Sequence, residues 1–186
     1  MRIIGGEWKG RRLFAPEGMD TRPTSDKVRE ALFSIIQNHI WDARVIDLFA
    51  GSGALSLEAL SRGAEFAAMI DSSRKAAAAI KRNIELCGAE EYTKLFTCEW
   101  QAALPLLRGQ QFSLVFLDPP YRLIKSYREA TDKLLSENML TDGALIVMEH
   151  SREAELPEFN QALEVYGTRR YGDTCLSLVR RRCEEE

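Results

Sequence analysis

Long apolar runs and an excess of basic charge are both missing from this 186-residue sequence. No apolar run approaches the roughly 18–20 residues of a membrane helix, so we expect no membrane segment. Residues 1–6 lack the apolar core of a signal peptide, which favours a cytoplasmic protein. The net charge of −3 excludes a uniformly basic nucleic-acid binder, although local basic patches remain compatible with RNA.

Cysteine pairs and metal-binding clusters are missing as well. None of the four cysteines belongs to a CxxC pair, so we expect reduced thiols and no bound metal. The two histidines, His39 and His150, complete neither a Ser/His/Asp arrangement nor a metal set, and we interpret both as structural. The cysteines are Cys87, Cys98, Cys175 and Cys183.

The composition is that of a globular protein with a sizeable core, since 45% of the residues are hydrophobic and 28% are charged. The sequence contains no internal repeat and no linker. We predict one domain, in which residues 1–38 form an arm and a helix and residues 39–186 form the core. A short domain without an evident partner helix favours a monomer.

Short apolar runs alternate with helical patterns along the sequence. This alternation predicts an α/β fold, with a mostly parallel sheet and helices on both faces. Near the end, two segments flank Gly172 and Asp173 and predict an antiparallel pair that closes the sheet. In such sheets, ligands bind at the carboxyl ends of the strands. The predicted strands are 45–49, 66–70, 94–98, 112–117, 144–148, 162–166 and 175–179.

Residues 45–55 (VIDLFAGSGAL) predict a buried strand, a glycine turn and the start of a helix. Gly51 and Gly53 allow the backbone to turn tightly and to approach a ligand, and the helix start offers free N–H groups. The pattern is not the GxGxxG of dinucleotide-binding proteins, because Ser56 stands at the third glycine position. By itself it is a weak signal.

Acidic residues lie within the first predicted strand and at the ends of the second and third. Asp71 follows the glycine turn by about 20 residues, where a carboxylate accepts the hydroxyls of a ribose, but it also precedes a helix and suits a cap. Asp47 is either an acceptor near a cationic ligand or a carboxylate that holds the turn by accepting from its amide N–H groups. Glu99 either meets an adenine amine or caps the next helix.

Residues 118–121 (DPPY) follow the fourth predicted strand and are the most specific signal. The prolines stiffen the loop and keep the Pro119 carbonyl out of a helix. That carbonyl and the Asp118 carboxylate are two acceptors for the N–H groups of an exocyclic amine, and Tyr121 offers a flat face for a base. Two such acceptors favour a tetrahedral nitrogen whose lone pair points at an electrophile. The alternative is a proline-rich turn with Tyr121 in the core.

Two clusters of basic residues lie near the ends of the sequence. In the first, glycines predict a small hairpin or an extended arm, and Trp8 either stacks on a base or covers its own domain. The second is either an RNA contact or a solvated terminus. The first cluster contains Arg2, Lys9, Arg11 and Arg12, and the second contains Arg169, Arg170, Arg180, Arg181 and Arg182.

Residues 26–38 predict a helix that begins after Pro23, with Thr24 or Ser25 as its cap. Apolar residues recur along one face of this helix. The predicted apolar face contains Val28, Ala31, Leu32, Ile35 and Ile36, and the predicted polar face contains Lys27, Arg29 and Glu30.

Together these motifs resemble those of class I S-adenosylmethionine-dependent methyltransferases, and more closely the bacterial 16S ribosomal RNA guanine-N2 methyltransferase family (the RsmD family). The Arg-Pro-Thr helix start combined with Asp-Pro-Pro-Tyr is specific to that family, whereas the glycine turn indicates only the superfamily. The resemblance covers nearly the whole chain and implies a Rossmann-like fold. The matching stretches are residues 2–6 (RIIGG), 22–33 (RPTSDKVREALF), 47–55 (DLFAGSGAL), 58–64 (EALSRGA) and 116–121 (FLDPPY).

The resemblance implies an S-adenosylmethionine site built from the glycine turn and the strand ends. Gly51 and Gly53 would approach the methionine part. Asp71 would hold the ribose, and Glu99 would stand near the adenine. The family often has glutamate at the first of these acidic positions and aspartate at the second, so the reach of each carboxylate differs here. The implied cofactor residues are Asp47, Phe49, Gly51, Gly53, Asp71, Glu99 and Asp118.

The resemblance also implies a substrate site for a guanine of 16S rRNA in a small-subunit or assembly particle. The implied catalytic residues are Asp118, Pro119 and Tyr121. The implied RNA-binding residues are Arg2, Trp8, Lys9, Arg11, Arg22, Thr24, Pro120 and Tyr121.

We therefore expect methyl transfer to the N2 amine of a guanine, without a metal. Two alternatives share the chemistry: an adenine-N6 methyltransferase acting on DNA or RNA, because the DPPY loop suits any exocyclic amine, and a protein-glutamine methyltransferase. An alternative from another class is a non-catalytic nucleotide- or RNA-binding module. The intact Asp118 argues against that module.

Overall fold

Seven strands form one mixed sheet in the computed structural model, which describes residues 1–18, 25–120 and 124–183. The strand order is β3-β2-β1-β4-β5-β7-β6. Strands β1 to β5 are parallel, and β7 lies antiparallel between β5 and β6, as the sequence predicted. The strands are β1 (Arg44–Asp47), β2 (Phe66–Ile70), β3 (Thr93–Phe96), β4 (Phe112–Leu117), β5 (Leu140–Ser151), β6 (Leu163–Tyr171) and β7 (Thr174–Arg181).

The described chain contains five α-helices, of which the first precedes β1 and the others lie between strands. They are α1 (Asp26–Ile35), α2 (Ala54–Ser61), α3 (Arg74–Cys87), α4 (Trp100–Ala103) and α5 (Lys125–Ser136), and short 3₁₀ segments span Gln37–His39, Glu90–Tyr92 and Leu104–Leu107. Over the described ranges, none of these helices is both long enough and apolar enough to cross a bilayer. The four cysteines are free thiols.

Two apolar cores cover the two faces of the sheet. On one face, α1 and α2 contribute Phe33 and Leu57, which pack with Phe116 of β4. On the other face, Trp100 and Tyr127 from α4 and α5 belong to the core that contains Val115. Successive residues of a strand point to opposite faces, so Val115 and Phe116 serve the two different cores. This arrangement confirms the predicted Rossmann-like fold with helices on both faces.

Helix α1 turns its predicted apolar face to the core, where Leu32 and Ile36 are buried, but one residue of the predicted polar face is buried as well. Ser25 caps it, since its hydroxyl accepts from the Val28 N–H at 3.3 Å, but the α-helix ends at Ile35 rather than at residue 38. Arg29, expected on the polar face, is only 1% exposed. Its guanidinium donates to the Arg2 carbonyl and to the Asp26 carboxylate, the latter at 3.0 Å. Hydropathy patterns miss such a position because they assume that a charged residue faces water.

Strand β5 is longer than predicted and contains a bulge. The strand was predicted to begin at residue 144, yet residues 141–143 already lie inside it. The pairing of β4 with β5 shifts register there, from Phe112 with Leu140 to Leu114 with Leu145. Gly143 has a φ of +70°, which lets the extra residues bulge while the strand continues. A bulge and a turn use the same residue types, so the sequence alone did not separate them.

The N-terminal arm, residues 1–14, forms the predicted small hairpin. The Ile3 N–H donates to the Arg11 carbonyl at 2.9 Å, and the backbones of Arg2 and Arg12 form an isolated antiparallel β-bridge. Trp8 is 8% exposed and belongs to the core between the arm and the sheet. Its burial supports the alternative in which it covers its own domain, and leaves little of the ring for stacking on a base.

Buried Glu58 of α2 fastens this arm to the core. Its carboxylate is fully buried and accepts from the backbone N–H groups of Ile4 and Gly5, at 2.7 and 2.8 Å. Arg62 pairs with the same carboxylate at 2.7 Å. One charge thus satisfies two N–H groups and a guanidinium that would otherwise be buried or half-buried without a partner.

Replacement of this carboxylate should destabilise the protein strongly. We expect Glu58→Ala to lower the free energy of unfolding by about 3 kcal/mol, because two buried N–H groups lose their acceptor and Arg62 loses its partner. Urea unfolding measures the change. Glu65→Ala, which removes an exposed carboxylate 3.7 Å from Arg44, is the control and should cost at most about 0.5 kcal/mol. Equal effects of the two substitutions would contradict the anchoring role.

Candidate active site

The strand register brings acidic residues from four adjacent strands to one edge of the sheet. Asp47 is paired with Met69 of β2 and Phe116 of β4, and Phe116 is paired with Val147 of β5. Two residues further along these three strands stand Asp71, Asp118 and Glu149. Side chains two residues apart share a face, so all four carboxylates lie at the carboxyl edge on the side of α1, α2 and α3.

The glycine turn lies at the centre of this edge. Gly51 and Gly53 have φ values of +57° and +77°, which other residues rarely adopt. A Cβ at Gly51 would meet nothing within 4 Å, whereas one at Gly53 would lie 3.1 Å from the Met69 sulfur. Gly53 is also the N-cap of α2. Gly51 therefore leaves open space above the turn, and Gly53 allows the helix to pack closely on the sheet.

Asp71 joins the ends of β1 and β2. One carboxylate oxygen accepts from the Gly51 N–H at 2.8 Å, and the other accepts from the Ser73 N–H at 2.9 Å. The predicted alternative, in which Asp71 is the helix cap, is wrong because Ser73 caps α3 by accepting from the Ala76 N–H. Burial raises the pKa of Asp71, and the charge of Glu99 raises it further. The half-buried carboxylate still borders the turn, where a ribose could compete for it.

Asp47 is a buried carboxyl group beneath the same turn. It is 2% exposed and accepts from the Ser56 hydroxyl at 3.1 Å and from the Phe49 N–H at 3.4 Å. Ser56 occupies the position of the last glycine of a GxGxxG motif, and its hydroxyl provides the hydrogen bond to Asp47 that a glycine could not. Burial raises the pKa of Asp47 to about 7, although the two hydrogen bonds act to lower it. Both expectations for Asp47 are compatible with this geometry. Its carboxyl group accepts from the turn, and a nearby cation would favour its ionised form.

The loop after β4 places its acidic residue beside the others. Asp118 is half-buried at the end of β4, Pro119 is buried and Pro120 is exposed. Burial raises the pKa of Asp118 well above its ordinary value, and the charges of Glu149 and Asp47 raise it further. A carboxyl group whose pKa is raised is a better proton acceptor than an ordinary aspartate. Tyr121 lies outside the described residues.

The other expected cofactor residues lie at the rim of the site. Glu99 is exposed and occupies the N-cap position of α4, but its side chain makes no capping hydrogen bond. It is close enough to Asp71 to affect that carboxyl group. Phe49, half-buried, follows Asp47 in the turn. The rim is therefore acidic along β3 and β2, where an adenosine was expected.

The expected RNA-binding residues divide into three groups. Arg2, Lys9 and Arg11 are exposed on the N-terminal arm, whereas Trp8 is buried. Arg22 and Thr24 lie outside the described residues, like Tyr121. The C-terminal cluster is largely paired: Arg180 and Arg182 contact Glu164, and Arg181 contacts Asp142. Arg2 of the arm contacts Asp26 at 3.5 Å, whereas Lys9 and Arg11 have no acidic partner among the described residues.

Two residues that the sequence reasoning passed over connect the arm to the site. Asn83 of α3 donates to the carbonyls of Ser52 and Phe14, each at 2.9 Å, and accepts from the Phe14 N–H at 2.7 Å. The Ser52 hydroxyl lies 3.2 Å from the Met1 sulfur. The only signal for Asn83 was a polar residue on an otherwise apolar stripe of α3. These bonds hold the glycine turn and the arm in a fixed relation.

The clustered carboxyl groups can accommodate a positively charged ligand. Each raised pKa reflects a charge that is costly in the protein alone. A cation at this edge would favour the ionised form of all of them. The arrangement thus suits a cationic ligand with hydroxyl groups, lying over the turn between β1 and β4.

Asp47→Asn should remove part of the pH dependence of stability. The folded pKa of about 7 exceeds the ordinary unfolded value, so the stability from Asp47 is complete below about pH 4 and is lost as the pH rises to about 7. Asparagine keeps an acceptor oxygen but does not titrate. As the pH rises across this window, we expect the free energy of unfolding of the variant to increase relative to that of the wild type, by up to about 1.4 kcal/mol per pH unit in urea unfolding.

Asp132→Asn, which changes an exposed carboxylate on α5, is the control for loss of one negative charge. Parallel stability curves for Asp47→Asn and the wild type would contradict the assignment.

Comparison with known proteins identifies the family. Residues 1–180 match the model of the family described as "Conserved hypothetical protein 95". The chain is 38% identical over 185 residues to "Putative rRNA methyltransferase YlbH" of Bacillus subtilis, covering 98% of this chain and 100% of that protein. It is 36% identical over 187 residues to "Ribosomal RNA small subunit methyltransferase D" of Escherichia coli, covering 100% of this chain and 92% of that protein.

Among solved structures, "Putative methyltransferase yhhF from Escherichia coli" superposes with a TM-score of 0.88 at 33% identity, covering 99% of each chain. The relatives are named as methyltransferases, and S-adenosylmethionine, the methyl donor of class I methyltransferases, is the cofactor of this chain. Its positive sulfonium and its ribose fit the acidic edge described above. The chain therefore belongs to the methyltransferase family that includes ribosomal RNA small subunit methyltransferase D, and it is an S-adenosylmethionine-dependent enzyme with a Rossmann-like class I fold.

Proposed function

We propose that the enzyme transfers a methyl group from S-adenosylmethionine to the N2 amine of a guanine in 16S rRNA. The observation that carries this proposal is the half-buried Asp118, followed by two prolines, one strand away from the glycine turn. An amine held there would lie beside the cofactor. The small-subunit ribosomal RNA in the names of the relatives supports the class of substrate.

The reaction requires one displacement. When bound, S-adenosylmethionine would supply an electrophilic methyl group: the N2 lone pair would take up the methyl carbon while the electrons of the carbon–sulfur bond return to sulfur, leaving S-adenosylhomocysteine. Asp118 and the Pro119 carbonyl would accept from the two N–H groups of the amine and so direct its lone pair. Orientation of this kind supplies much of the acceleration. The nitrogen then releases one proton to water or to Asp118, whose raised pKa suits that role.

The substrate must present an accessible base. A guanine within a paired stem would have to be flipped out, whereas one in a loop is already accessible. Positive side chains on the N-terminal arm would contact phosphates near it. We expect a small-subunit or assembly particle as the target and a monomeric enzyme as the catalyst.

The adenine-N6 alternative differs only in the base, because the loop suits either amine. A glutamine side chain in a protein offers a similar NH₂ group. A non-catalytic module would have no need for the proton acceptor Asp118. We favour guanine in RNA because the relatives are named for ribosomal RNA of the small subunit.

Analysis of the methylated nucleoside tests the proposal directly. Small subunits from cells that lack this protein would be incubated with labelled S-adenosylmethionine and the enzyme, with naked 16S rRNA and DNA in parallel. N2-methylguanosine from the subunit is the expected product. N6-methyladenosine would overturn the choice of base, and label in protein alone would overturn the choice of substrate.

Asp118→Ala should impair catalysis far more than cofactor binding. Loss of the acceptor leaves the amine poorly oriented, so we expect kcat to fall about 100-fold to 1,000-fold. Calorimetric titration with S-adenosylmethionine should give an affinity within about tenfold of the wild type. Asp132→Ala on α5 is the matched control. An unchanged kcat for Asp118→Ala would refute the assigned role of the loop.

Lys9 and Arg12 should contribute more to RNA binding than the C-terminal arginines. Neither has an acidic partner among the described residues, whereas Arg180 and Arg182 share Glu164. We expect Lys9→Ala/Arg12→Ala to weaken binding to small subunits about tenfold at moderate salt and to reduce the slope of log affinity against log salt by about 1–2. Arg180→Ala/Arg182→Ala is the control, and a larger loss from that pair would reverse the assignment.

A further inference from the structure

Helix α3 exposes a basic face that the proposed reaction does not use. The apolar stripe of this helix belongs to the core on one face of the sheet. Side chains three or four residues apart share a helix face, so Lys75, Ala78 and Arg82 form one stripe, and all three are exposed. Arg74 and Lys81 are exposed as well, and the helix contains a single acidic residue. The exposed side of α3 is therefore strongly basic.

The N-terminal arm lies along this helix for almost its whole length. Near the end of α3, the Arg11 guanidinium donates to the Leu86 carbonyl. Near the start of α3, a Cβ on Gly18 would lie 3.4 Å from the Lys75 ammonium nitrogen. Residues 11–18 therefore run along α3 in the opposite direction, and the basic side chains of the arm continue the basic face of the helix.

Phe14 holds the central cation of this face in place. The guanidinium carbon of Arg82 lies 3.7 Å from the centroid of the Phe14 ring, which is itself 40% exposed. The Phe14 backbone is held in turn by buried Asn83 of α3, through hydrogen bonds of 2.7 and 2.9 Å. A guanidinium held over an aromatic ring loses less side-chain freedom when it binds an anion. Arg82 is thus preorganised while it remains exposed.

Arg11, Arg74, Lys75, Lys81 and Arg82 together define the arm–α3 surface. No ion pair among the described residues involves any of these five side chains. The stretch of α3 that faces the arm is about 16 Å long, which is enough for several consecutive phosphates of one nucleic-acid strand. The surface therefore presents a row of unneutralised positive charge that complements a phosphate backbone.

We propose that the arm–α3 surface binds the phosphate backbone of 16S rRNA beside the methylated guanine. This inference rests on the proposed function. Arg74, the first residue of α3, follows Asp71 of the cofactor site by three residues, so the surface begins at the site and leads away from it. Phosphate contacts position a nucleic acid without reading its sequence. The surface would therefore place the flanking RNA and leave the choice of base to the substrate loop.

Steady-state kinetics with small subunits test this surface. We expect Lys81→Ala/Arg82→Ala to raise KM for the subunit about tenfold and to reduce the slope of log affinity against log salt by about 1–2. The kcat and the affinity for S-adenosylmethionine should stay within about twofold of the wild type, because no phosphate contact takes part in the displacement. Arg128→Ala/Lys133→Ala, which removes two cations from α5 on the other face of the sheet, is the matched control. An unchanged KM for the first pair, or an equal rise for both pairs, would overturn the assignment.

Cross-linking identifies the partner of the surface. A photoactivatable side chain in place of Ala78, between Lys75 and Arg82, should cross-link to 16S rRNA close to the methylated nucleotide. The same group in place of Leu106, which is 64% exposed beside the other core, is the control and should give no cross-link there. Cross-links from position 78 to a ribosomal protein alone would overturn RNA as the partner.

The two proposals fail in different ways. Formation of N2-methylguanosine by the wild type, with an unchanged KM for Lys81→Ala/Arg82→Ala, would overturn the role of the arm–α3 surface alone. Absence of RNA methylation by the wild type, on subunits and on naked 16S rRNA, would overturn the proposed function as well.

Discussion

Electrostatic repulsion at the carboxyl edge of the sheet constrains the whole site. Asp47, Asp71 and Asp118 end three adjacent strands, and burial raises the pKa of each. Such an arrangement costs stability in the free protein, since each ionised group lacks full solvation. A sulfonium ligand would recover part of that cost on binding. The fold thus places its least favourable charges where a positively charged cofactor is required.

The hydrogen bonds around this edge explain why the repulsion does not open the turn. Asp71 accepts from the Gly51 N–H, and Asp47 accepts from the Ser56 hydroxyl, so each carboxylate also acts as a tie between strand and helix. From the other side, Asn83 holds the Ser52 carbonyl and the arm together. The same groups that repel one another therefore fix the backbone that carries them. Preorganisation of this kind limits the rearrangement needed when the cofactor binds.

The sequence predicts the bounds of an element correctly where its local hydropathy pattern agrees with its burial in the fold. Strands β2 and β4 have the predicted bounds, because each is a short apolar stretch with clear breakers on both sides. Arg29 was misplaced because its burial depends on Asp26 and on a carbonyl from a distant segment. Glu149 belongs to none of the motifs recognised in the sequence, since a single glutamate at a strand end forms no motif. Its position beside Asp118 depends on the pairing of two strands, which the sequence does not show.

The two ends of the described chain lie in very different surroundings. The Met1 carbonyl accepts from the Leu13 N–H, and its sulfur lies 3.2 Å from the hydroxyl of Ser52 in the glycine turn. The other end leaves β7 beyond Arg181, which contacts the Leu140 carbonyl at the start of β5, on the opposite edge of the sheet. An affinity tag fused before Met1 would therefore begin next to the cofactor turn. A tag placed after the last strand would begin at the edge of the sheet away from it.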